Sequence, residues 1–378
     1  MVLPASGNSI SLDQIHVELG QSSGTTVALG DDDVRALASD TSGAIGMDQF
    51  FGLSNIPNIE DVFSTFLYNG NWDGGDAVTQ NIVNGIDLSG EGGLVWIKNR
   101  GQSNLTHRLF DSASSAGVTG FYSFNSTDNS QASGPGTSSM ASFNNNGFTV
   151  GNNADVNSSY HTNTNYVSWT FRKAPKFFDA VAYTGNGSVR TIAHSLGEVP
   201  GMIWIFKVNA NDNRIVWHRS LTADNKFILL NESNAENTNA NLFNSTAPTS
   251  SVFTVGTETA TNANGSTYIA YLFGHQGNNE TSPIISCGSY TGNGSTTGPS
   301  VNLGFEPQWI ITKHVDEASQ WTILDNMRGF FSFDEADPRL YANLINAEDT
   351  FGFMSPTATG FDLTTDATTY NKNNGTYL

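Results

Sequence analysis

Three copies of one set of sequence marks constrain the fold of this chain more than any other feature. The tetrapeptide Tyr-Asn-Gly-Asn at 68–71 returns as Tyr-Thr-Gly-Asn at 183–186 and at 290–293, so the copies start 115 and 107 residues apart. Units of about 20 to 50 residues build solenoids, whereas a unit of about 100 residues encloses a core of its own. The spacing therefore predicts three folded units in series.

Further marks recur in the same order within each copy. An apolar run follows the tetrapeptide, a Phe-Thr-Val-Gly motif comes next, and an aromatic phrase closes the unit. The predicted equivalents are Trp96, Trp204 and Trp309 in the apolar runs, 148–151, 253–256 and 361–363 for the second mark, and 165–171, 267–273 and 375–378 for the third. The closing phrase is cut short in the third copy, which predicts a truncated or partly ordered last strand.

The composition favours strands and turns over long helices. Only 13% of the 378 residues are charged, and Gly, Ser, Thr and Asn take up the difference. These residues disfavour helix interiors, because the polar ones compete for backbone hydrogen bonds and glycine adds backbone entropy. Strand-like runs about 8 to 12 residues apart, with Asn-Gly turns between them, are typical of a β-sandwich. We therefore predict a mainly β fold with three tandem, jelly-roll-like β-sandwich domains.

The predicted domain boundaries follow the repeats. A small N-terminal module occupies 1–53, and the three β-sandwich repeats occupy 54–172, 173–276 and 277–378. The joins between repeats are short, which predicts domains stacked as a semi-rigid rod. The apolar runs around the tryptophans lack polar alternation, so we expect those strands to be buried on both faces.

Helix signals cluster in the N-terminal module. Ser11 and Gln14 have the spacing of a capping box. A second short helix is predicted from Asp31, with acidic residues in its first turn, where the helix dipole favours negative charge. The stretch 44–52 forms a third short segment. A module of this kind suits docking on a partner protein.

Charge and apolar content exclude several classes of partner. The 35 acidic and 16 basic residues give a net charge of −19, which repels nucleic-acid phosphates and anionic membranes. No run of about 18 or more apolar residues occurs, and the first residues lack the basic and apolar regions of a signal peptide. We therefore expect synthesis in a cytoplasm, no membrane span and no nucleic-acid partner. The single cysteine, Cys287, excludes an internal disulfide and is expected to be buried.

One turn has part of the pattern of a calcium-binding loop. Asn69, Asn71, Asp73 and Gly74 match the first, third, fifth and sixth positions. The twelfth position, where such loops have a bidentate glutamate, is Gln80. A plain hairpin turn is the better interpretation, and neither a metal nor a cofactor is predicted.

Signals for catalysis are weak in this sequence. His107-Arg108 aligns with His218-Arg219, but the third copy has Thr322-Ile323 at that place, so we expect a structural role for the pair. Glycoside hydrolysis needs two carboxyl groups roughly 5 to 10 Å apart. The candidate acids are Asp73 with Asp76, and Asp334 with Glu335 and Asp337. Solvated turns explain these acids better, so we predict no enzymatic activity and keep a polysaccharide depolymerase as the weakest alternative.

Four ring-bearing side chains are candidate ligand-binding residues. Trp72, Tyr122, Tyr160 and His161 stand among polar residues and glycine, outside the apolar runs. An aromatic face flanked by polar groups suits a sugar ring, which has apolar C–H faces and hydroxyl edges. The alternative is that each ring packs across its own hairpin. A host-surface glycan is the ligand class that these residues predict.

The sequence resembles a group of bacteriophage proteins. The phrases at 9–20 and 34–52 are similar to the short module that opens many virion structural and tail-fibre-like proteins of tailed phages, those of marine and cyanobacterial phages above all. The phrases at 166–187, 190–205 and 266–275 are similar to tandem domains of the same kind of protein. Together the similar phrases cover nearly the whole chain. The family is largely uncharacterised, so the resemblance supplies no functional residues.

The resemblance implies a non-enzymatic virion structural protein, made in the host cytoplasm and then built into the particle. We expect a tail fibre or fibre-like appendage that contributes to host attachment and is held to other virion proteins by its N-terminal module. The resemblance also implies a homotrimer. A capsid decoration protein or vertex fibre is the alternative placement.

Overall fold

Strands form most of the regular structure, which confirms the mainly β fold class. The computed structural model describes residue 3 and residues 10–19, 28–38, 44–50, 56–75, 78–114, 122–124, 139–159, 164–210, 212–280, 282–330 and 336–378. Its helices are α1 (Leu12–Glu18), α2 (Asp32–Leu37), α3 (Ile59–Val62), α4 (Ala154–Asn157), α5 (Ala240–Phe243), α6 (Thr259–Asn262) and α7 (Thr368–Asn371), with 3-10 turns at Met47–Phe50 and Asn326–Arg328. Among these described segments, no helix has the length and apolar character needed to cross a bilayer.

The strands follow the order of the repeats, called repeat 1 (54–172), repeat 2 (173–276) and repeat 3 (277–378). Repeat 1 contains β1 (Phe63–Asn69), β2 (Gln80–Val83), β3 (Gly93–Asn99), β4 (His107–Asp111), β5 (Tyr122–Phe124), β6 (Met140–Asn144), β7 (Gly147–Val150) and β8 (Asn165–Arg172). Repeat 2 contains β9 (Phe178–Thr184), β10 (Arg190–Ala193), β11 (Met202–Lys207), β12 (Ile215–His218), β13 (Lys226–Leu229), β14 (Asn237–Thr238), β15 (Val252–Val255) and β16 (Thr267–Phe273). Repeat 3 contains β17 (Tyr290–Thr291), β18 (Ser300–Asn302), β19 (Trp309–Thr312), β20 (Thr322–Asp325), β21 (Pro338–Tyr341), β22 (Asp349–Thr350), β23 (Met354–Thr357), β24 (Gly360–Leu363) and β25 (Thr376–Tyr377).

Each repeat arranges its strands in the same way, as a larger and a smaller antiparallel sheet. In repeat 1 the orders are β1-β8-β3-β4-β5 and β2-β7-β6. In repeat 2 they are β9-β16-β11-β12-β13-β14 and β10-β15. Repeat 3 has β19-β20-β21-β22 and β18-β24-β23, while its first and last strands form a separate pair, β17-β25.

Each repeat encloses a core between its two sheets. In repeat 1 this core joins Val95 and Ile97 of β3 to Phe148 and Val150 of β7, and all four side chains are buried. The matching core of repeat 2 joins β11 to β15, and that of repeat 3 joins β20 to β24. Two antiparallel sheets over one core make a β-sandwich-like unit.

The opposite faces of the three larger sheets meet in one central core. Trp96 of repeat 1 and Trp204 of repeat 2 are fully buried, and their ring centroids lie 5.8 Å apart in edge-to-face contact. Trp309 of repeat 3 lies 6.5 Å from Trp96. Strand β3 is consequently buried along its whole length. The apolar runs of β3 and β11 therefore lie in strands that are buried on both faces, as the sequence predicts, whereas β19 is only partly buried.

This central core contradicts the predicted rod. Domains in a rod complete their cores separately and touch over modest interfaces. Here one buried cluster contains residues of all three repeats. The physical reason is the apolar run itself, because a sheet that is apolar on both faces needs a covering layer on each of them. Short joins between the repeats bring those layers together.

The tyrosines of the first and last strand stack in every repeat, which explains two of the sequence marks. The stacked pairs are Tyr68 with Tyr166, Tyr183 with Tyr268, and Tyr290 with Tyr377, and their ring centroids lie 5.2, 5.1 and 4.8 Å apart. In repeat 1 the two hydroxyls donate to carbonyl oxygens of α4, those of Val156 at 2.7 Å and Ala154 at 2.6 Å. The equivalent bonds reach α6 and α7 in the other repeats. These bonds satisfy hydroxyls that burial would otherwise leave without water.

The Gly-Asn half of the tetrapeptide has an equally specific role. In repeat 1 the backbone N–H of Asn71 donates to the side-chain oxygen of Asn157 at 3.0 Å, and the Asn157 amide donates back to Asn71 Oδ1 at 3.0 Å. The same exchange joins Asn186 with Asn262 and Asn293 with Asn371. The preceding Gly70 has no room for a Cβ, because the carbonyl of Ser158 occupies that space. The Gly-Asn pair recurs because in each repeat it joins the end of the first strand to the short helix that precedes the last strand.

Strand register corrects one predicted equivalence, that of Trp309. The stacked tyrosines of the last strands oppose Asn99, Lys207 and His314 in the three repeats. Trp96 and Trp204 each lie three residues before that position, where repeat 3 has Ile311. Trp309 is therefore two residues out of register. It still reaches the central core because strand side chains alternate with a period of two.

The predicted alignment of His107-Arg108 with His218-Arg219 is also wrong. Cross-strand pairs place Trp96 opposite Leu109, Trp204 opposite Val216 and Ile311 opposite Ile323. His107 lies two residues before Leu109, so its equivalents are Arg214 and Trp321. His218 lies two residues after Val216, so its equivalents are Asp111 and Asp325. The dipeptides match in residue type alone, since His107 begins β4 and His218 ends β12.

Side chains at the His107 position join neighbouring repeats. The Trp96 indole donates to His107 Nδ1 at 2.8 Å, so Nε2 carries the proton and donates to the Tyr341 carbonyl of repeat 3 at 3.0 Å. Burial holds the pKa of His107 well below its ordinary value, which keeps the ring neutral in this role. The Trp321 indole of repeat 3 donates in the same way to the Leu229 carbonyl of repeat 2 at 2.8 Å.

Side chains at the His218 position complete a ring of contacts. The Trp169 indole of repeat 1 donates to Asp325 Oδ2 of repeat 3 at 3.0 Å. The Tyr271 hydroxyl of repeat 2 donates to Asp111 Oδ2 of repeat 1 at 2.9 Å. Repeat 1 thus contacts repeat 3, repeat 3 contacts repeat 2, and repeat 2 contacts repeat 1. The three repeats form a pseudo-threefold ring around the central core.

The N-terminal module has the predicted helices and a small cluster of its own. Ser11 and Gln14 form the capping box of α1, with hydrogen bonds of 3.2 and 2.8 Å. Ile15, Val34 and Phe50 are buried together. A buried ion pair, Glu18 Oε1 to Lys176 Nζ at 2.9 Å, ties α1 to the start of repeat 2.

The Asp325 network yields a prediction about the junction of repeats 1 and 3. Asp325 also accepts from Arg328 Nε at 2.6 Å, and the Arg328 side chain is fully buried. Asp325→Ala should therefore lower the free energy of unfolding by about 3 kcal/mol or more, because the buried Arg328 then keeps only Glu348, at 3.2 Å, and the Trp169 indole loses its acceptor. Urea unfolding followed by tryptophan fluorescence measures the loss.

Asp349→Ala is the matched control for that variant. Asp349 pairs with Arg339 at 2.7 Å in the same repeat, but its side chain is 49% exposed. Exposed pairs contribute at most about 1 kcal/mol. Equal losses for the two variants would contradict the role given to Asp325.

Candidate functional site: an open strand position in repeat 3

A cavity of about 490 Å³ opens at one end of the central core. All three repeats line it, with Phe63 and Phe171 from repeat 1, Met202 and Phe273 from repeat 2, and Trp309 from repeat 3. Ligand pockets in proteins span about 300 to 1,000 Å³ and are mostly apolar. Its size and lining therefore make this cavity the candidate site.

The cavity lies directly beyond Leu378, the last residue of the sequence, which lines it. Strand β8 lies between β1 and β3 with seven residue pairs on each side, and β16 lies between β9 and β11 with seven and six. Strand β25 makes two pairs with β17 and a single bridge, His314 to Tyr377, on its other side. In the described part of repeat 3, β20 is the only strand paired with β19. Among the described residues, β19 therefore has one paired neighbour strand, whereas β3 and β11 have two each.

Repeats 1 and 2 show which residues occupy this strand position. After its stacked tyrosine, repeat 1 continues through Ser168–Phe171 and repeat 2 through Ala270–Phe273. The aromatic side chains of these segments enter the central core. In repeat 3 the equivalent space is the cavity, bordered by 285–289 on one side and β19 on the other. We call this space the strand slot.

Residues along the strand slot are less covered than their equivalents. Trp309, Ile310 and Ile311 are only partly buried, although β3 is buried throughout. The indole Nε1 of Trp309 is buried and has no hydrogen-bond partner among the described residues. A buried donor without a partner costs about 1 to 3 kcal/mol.

His218 is a polar residue of the strand slot, and its tautomer and charge can be assigned. It lines the cavity at the position that Asp111 and Asp325 occupy in the other repeats. Its Nδ1 accepts the backbone N–H of Ser220 at 3.1 Å, so Nε2 carries the proton. Burial, with Arg219 beside it, lowers the pKa of His218 to about 3. The ring is consequently neutral at physiological pH and can only donate from Nε2.

The wall formed by 285–289 is already fixed on its outer side. Gln276 donates its backbone N–H to the Ile285 carbonyl at 2.9 Å, and Cys287 donates its N–H to His275 Nδ1 at 3.1 Å. Cys287 is buried, as its sequence context predicts, and burial raises the pKa of its thiol to about 12. The cysteine is therefore a protonated wall residue.

The predicted sugar-binding residues do not lie together at the strand slot. Trp72 is half-buried, bridges to Ser158, and donates from Nε1 to the Gly75 carbonyl at 3.4 Å, so it packs across its own turn. Tyr122 lies in β5. Tyr160 and His161 lie outside the described residues.

The predicted metal and acid candidates are not brought together either. Asp73 Oδ1 accepts the N–H of Gly75 at 3.0 Å, as in a plain turn. Asp76, Asp334 and Glu335 lie outside the described residues, and Asp337 is buried. In the segments that the structure describes, no group of three or more His, Cys, Asp and Glu residues is placed to hold a metal ion.

Sequence reasoning did not identify the strand slot as a site. The one signal was the closing phrase, cut short at 375–378, which predicts a short last strand. The sequence does not show that 285–289 and β19 border a common cavity, because their positions depend on contacts with the other two repeats.

A glutamate beside the wall of the slot predicts a pH dependence. Burial, together with Glu280, raises the pKa of Glu198 to about 8, and Glu198 Oε1 accepts the backbone N–H of His275 at 2.8 Å. In the unfolded chain a glutamate has a pKa of about 4.3. The folded state therefore binds more protons between those values, and this residue makes stability fall as the pH rises through that window.

Glu198→Gln should remove this loss, because the amide stays neutral. We expect the variant and the wild type to unfold at the same urea concentration at pH 4, and the variant to be the more stable of the two at pH 8.5. Urea midpoints measured across this range test the expectation. Parallel curves for the two proteins would show that Glu198 is ionised in the fold.

Comparison with known proteins places the chain in a family. No curated protein and no solved structure matches it. A family model described as "Domain of unknown function (DUF7483)" matches residues 59–378, from the start of α3 through all three repeats. One model thus spans the whole ring of repeats that the central core unites. The chain belongs to the DUF7483 family of domains of unknown function.

Proposed function

We propose that the protein is a non-enzymatic structural component of a tailed bacteriophage particle, a tail fibre or fibre-like appendage that contributes to host attachment. The observation that carries the proposal is that buried polar side chains of this protein join its repeats to one another. His107, Asp111 and Asp325 are each at most 1% exposed, and each joins one repeat to another. A rigid unit held in this way suits a scaffold that presents surfaces. The similarity of the N-terminal and repeat phrases to phage proteins supports the particle.

An amide-rich groove on the smaller sheet of repeat 1 supports a glycan as the ligand. Asn144 Nδ2 donates to Asn81 Oδ1 at 3.0 Å and to Thr149 Oγ1 at 2.9 Å, and the exposed Asn145 and Asn146 lie beside it. Amides and hydroxyls both donate and accept, which matches the hydroxyl groups of sugars. We assign glycan contact to this face ahead of Trp72.

The position of the N-terminal module supports its proposed role in attachment. The buried pair Glu18–Lys176 fixes α1 against repeat 2. Because the module is fixed to the ring, a force on the repeats is transmitted to the protein that the module binds. Its binding partner in this proposal is a neighbouring virion protein.

A capsid decoration protein is the second candidate, and the pseudo-threefold ring favours it. For a fibre of the proposed type, the resemblance implies a homotrimer. Here one chain already covers the second face of its larger sheets with its own repeats. Light scattering on the purified chain, with and without residues 1–53, separates the two: a trimer favours the fibre and a monomer favours the decoration protein.

Immunogold labelling of the phage that encodes this protein tests the proposal. We expect an antibody against residues 277–378 to label particles, on tail appendages for the preferred placement and over the capsid for the alternative. Particles from a phage deleted for the gene serve as the control. Purified particles that bind no antibody beyond that control would overturn a virion role.

A further inference from the structure

We propose that the amide-rich groove of repeat 1 binds the acetamido group of a 2-acetamido sugar. The inference rests on the glycan contact proposed above and names the class of sugar. An acetamido group has a carbonyl oxygen that accepts two hydrogen bonds, an N–H that donates one, and an apolar methyl group. The groove has donors that match the carbonyl oxygen and an apolar surface that matches the methyl group.

Strand pairing places the groove on the outer face of the smaller sheet. Ile82 of β2 lies opposite Phe148 of β7, and both are buried in the core of repeat 1. Their neighbours along the strands therefore face outward, because strand side chains alternate. The outward residues form two rows across the sheet, with Ser142, Thr149 and Asn81 in one row and Asn144, Gly147 and Val83 in the next.

Asn144 orients two of these side chains so that they present donors. Its Oδ1 accepts from Ser142 Oγ at 2.7 Å, and its Nδ2 donates to Asn81 Oδ1 at 3.0 Å and to Thr149 Oγ1 at 2.9 Å. Because Asn81 Oδ1 accepts, both N–H groups of the exposed Asn81 Nδ2 remain to donate. The Thr149 hydroxyl likewise accepts through oxygen and keeps its O–H to donate.

The two donors are placed for one acceptor. Asn81 and Thr149 are directly opposite each other on neighbouring strands, and the Cβ atoms of such pairs lie about 5 Å apart. A carbonyl oxygen has two lone pairs and can accept from both side chains at once. The acetamido carbonyl is the group of a neutral sugar that accepts in this way without also donating.

The next row supplies the apolar surface. Val83 is 51% exposed, and Gly147 lies opposite it without a side chain. Gly147 has a φ of +145°, and a Cβ there would meet the Ile82 carbonyl, so the backbone stays bare at this place. A methyl group can therefore lie on the bare backbone and contact Val83.

The lining of the groove favours a neutral sugar. Its described lining residues are asparagine, serine and threonine, with no charged side chain and no aromatic ring among them. An acidic sugar would lack a countercharge there and would be repelled by the net charge of −19. Recognition must then come from hydrogen bonds and the methyl contact, since no ring is present for stacking in this part of the structure.

The other repeats lack this combination, so we expect one site per chain. Strand register makes Asp362 of repeat 3 the equivalent of Thr149. A carboxylate accepts hydrogen bonds and donates none, so it cannot bind a carbonyl oxygen. In repeat 2 the equivalent of Gly147 is Val252, whose side chain occupies the place that is bare in repeat 1.

Saturation-transfer difference NMR on the full 378-residue chain tests the proposal, with N-acetylglucosamine as the probe. We expect a dissociation constant of about 1 mM, as for a single small ligand on an open face. The acetamido methyl should receive the strongest saturation, because it contacts Val83. Glucose, which has a hydroxyl in place of the acetamido group, should bind with about a tenth of that affinity or less. Equal affinity for the two sugars would overturn the proposal.

Asn81→Asp tests whether the sugar binds at this groove. The substitution keeps the shape of the side chain and an acceptor for Asn144, but it replaces the two N–H donors with a carboxylate oxygen. We expect affinity for N-acetylglucosamine to fall about tenfold or more. The matched control is Asn302→Asp, because Asn302 is an exposed strand residue of repeat 3 whose Oδ1 accepts the Gly304 N–H at 2.9 Å, a bond that aspartate keeps. Equal affinity of the two variants would place the sugar elsewhere and overturn the proposal.

The outcomes separate this inference from the virion role. Binding of N-acetylglucosamine that Asn81→Asp abolishes supports the sugar class, whether or not the antibody labels particles. Labelled particles, together with a purified chain that does not bind the sugar, would overturn the sugar class and leave the virion role standing.

Discussion

A β-sheet that is apolar on both faces requires a covering layer on each, and this requirement organises the whole molecule. The larger sheet of each repeat covers one face with its own smaller sheet. The second face has only the other repeats to meet, so three larger sheets converge on Trp96, Trp204 and Trp309. Aromatic side chains bury about 150 to 250 Å² each, so this convergence dominates the packing.

The convergence also decides where polar groups can be buried. A group at the junction of two repeats lies in the interior and needs a partner there. Different side chains make the same bond at equivalent positions, since His107 and Trp321 both donate to a main-chain carbonyl of another repeat. Lys98 and Lys313 are likewise equivalent, and burial lowers the pKa of both to about 8. The positions of the contacts between repeats are thus more alike than the residue types that make them.

The sequence predicted features that depend on one segment or on one repeat. The capping box at Ser11 and the doubly buried strand around Trp96 follow from local patterns, and the structure confirms both. The tyrosine marks were recognised only by their recurrence, and their stacking comes from the structure. Features that depend on which repeat meets which were not predictable. The rod was wrong for this reason. Trp309 and His218 were misaligned because residue identity was used where only strand register decides equivalence.

The strand slot is a consequence of the same ring. The segment 285–289 and β19, which border it, pack against residues of repeats 1 and 2. Native-state hydrogen exchange in low urea tests the shared core most directly, at the amides of Trp96, Trp204 and Ile323, one buried strand residue from each repeat. A single core predicts that all three exchange through one global opening, with the same free energy and the same urea slope. Separate openings, each with about a third of the global slope, would show three independent domains and contradict the account.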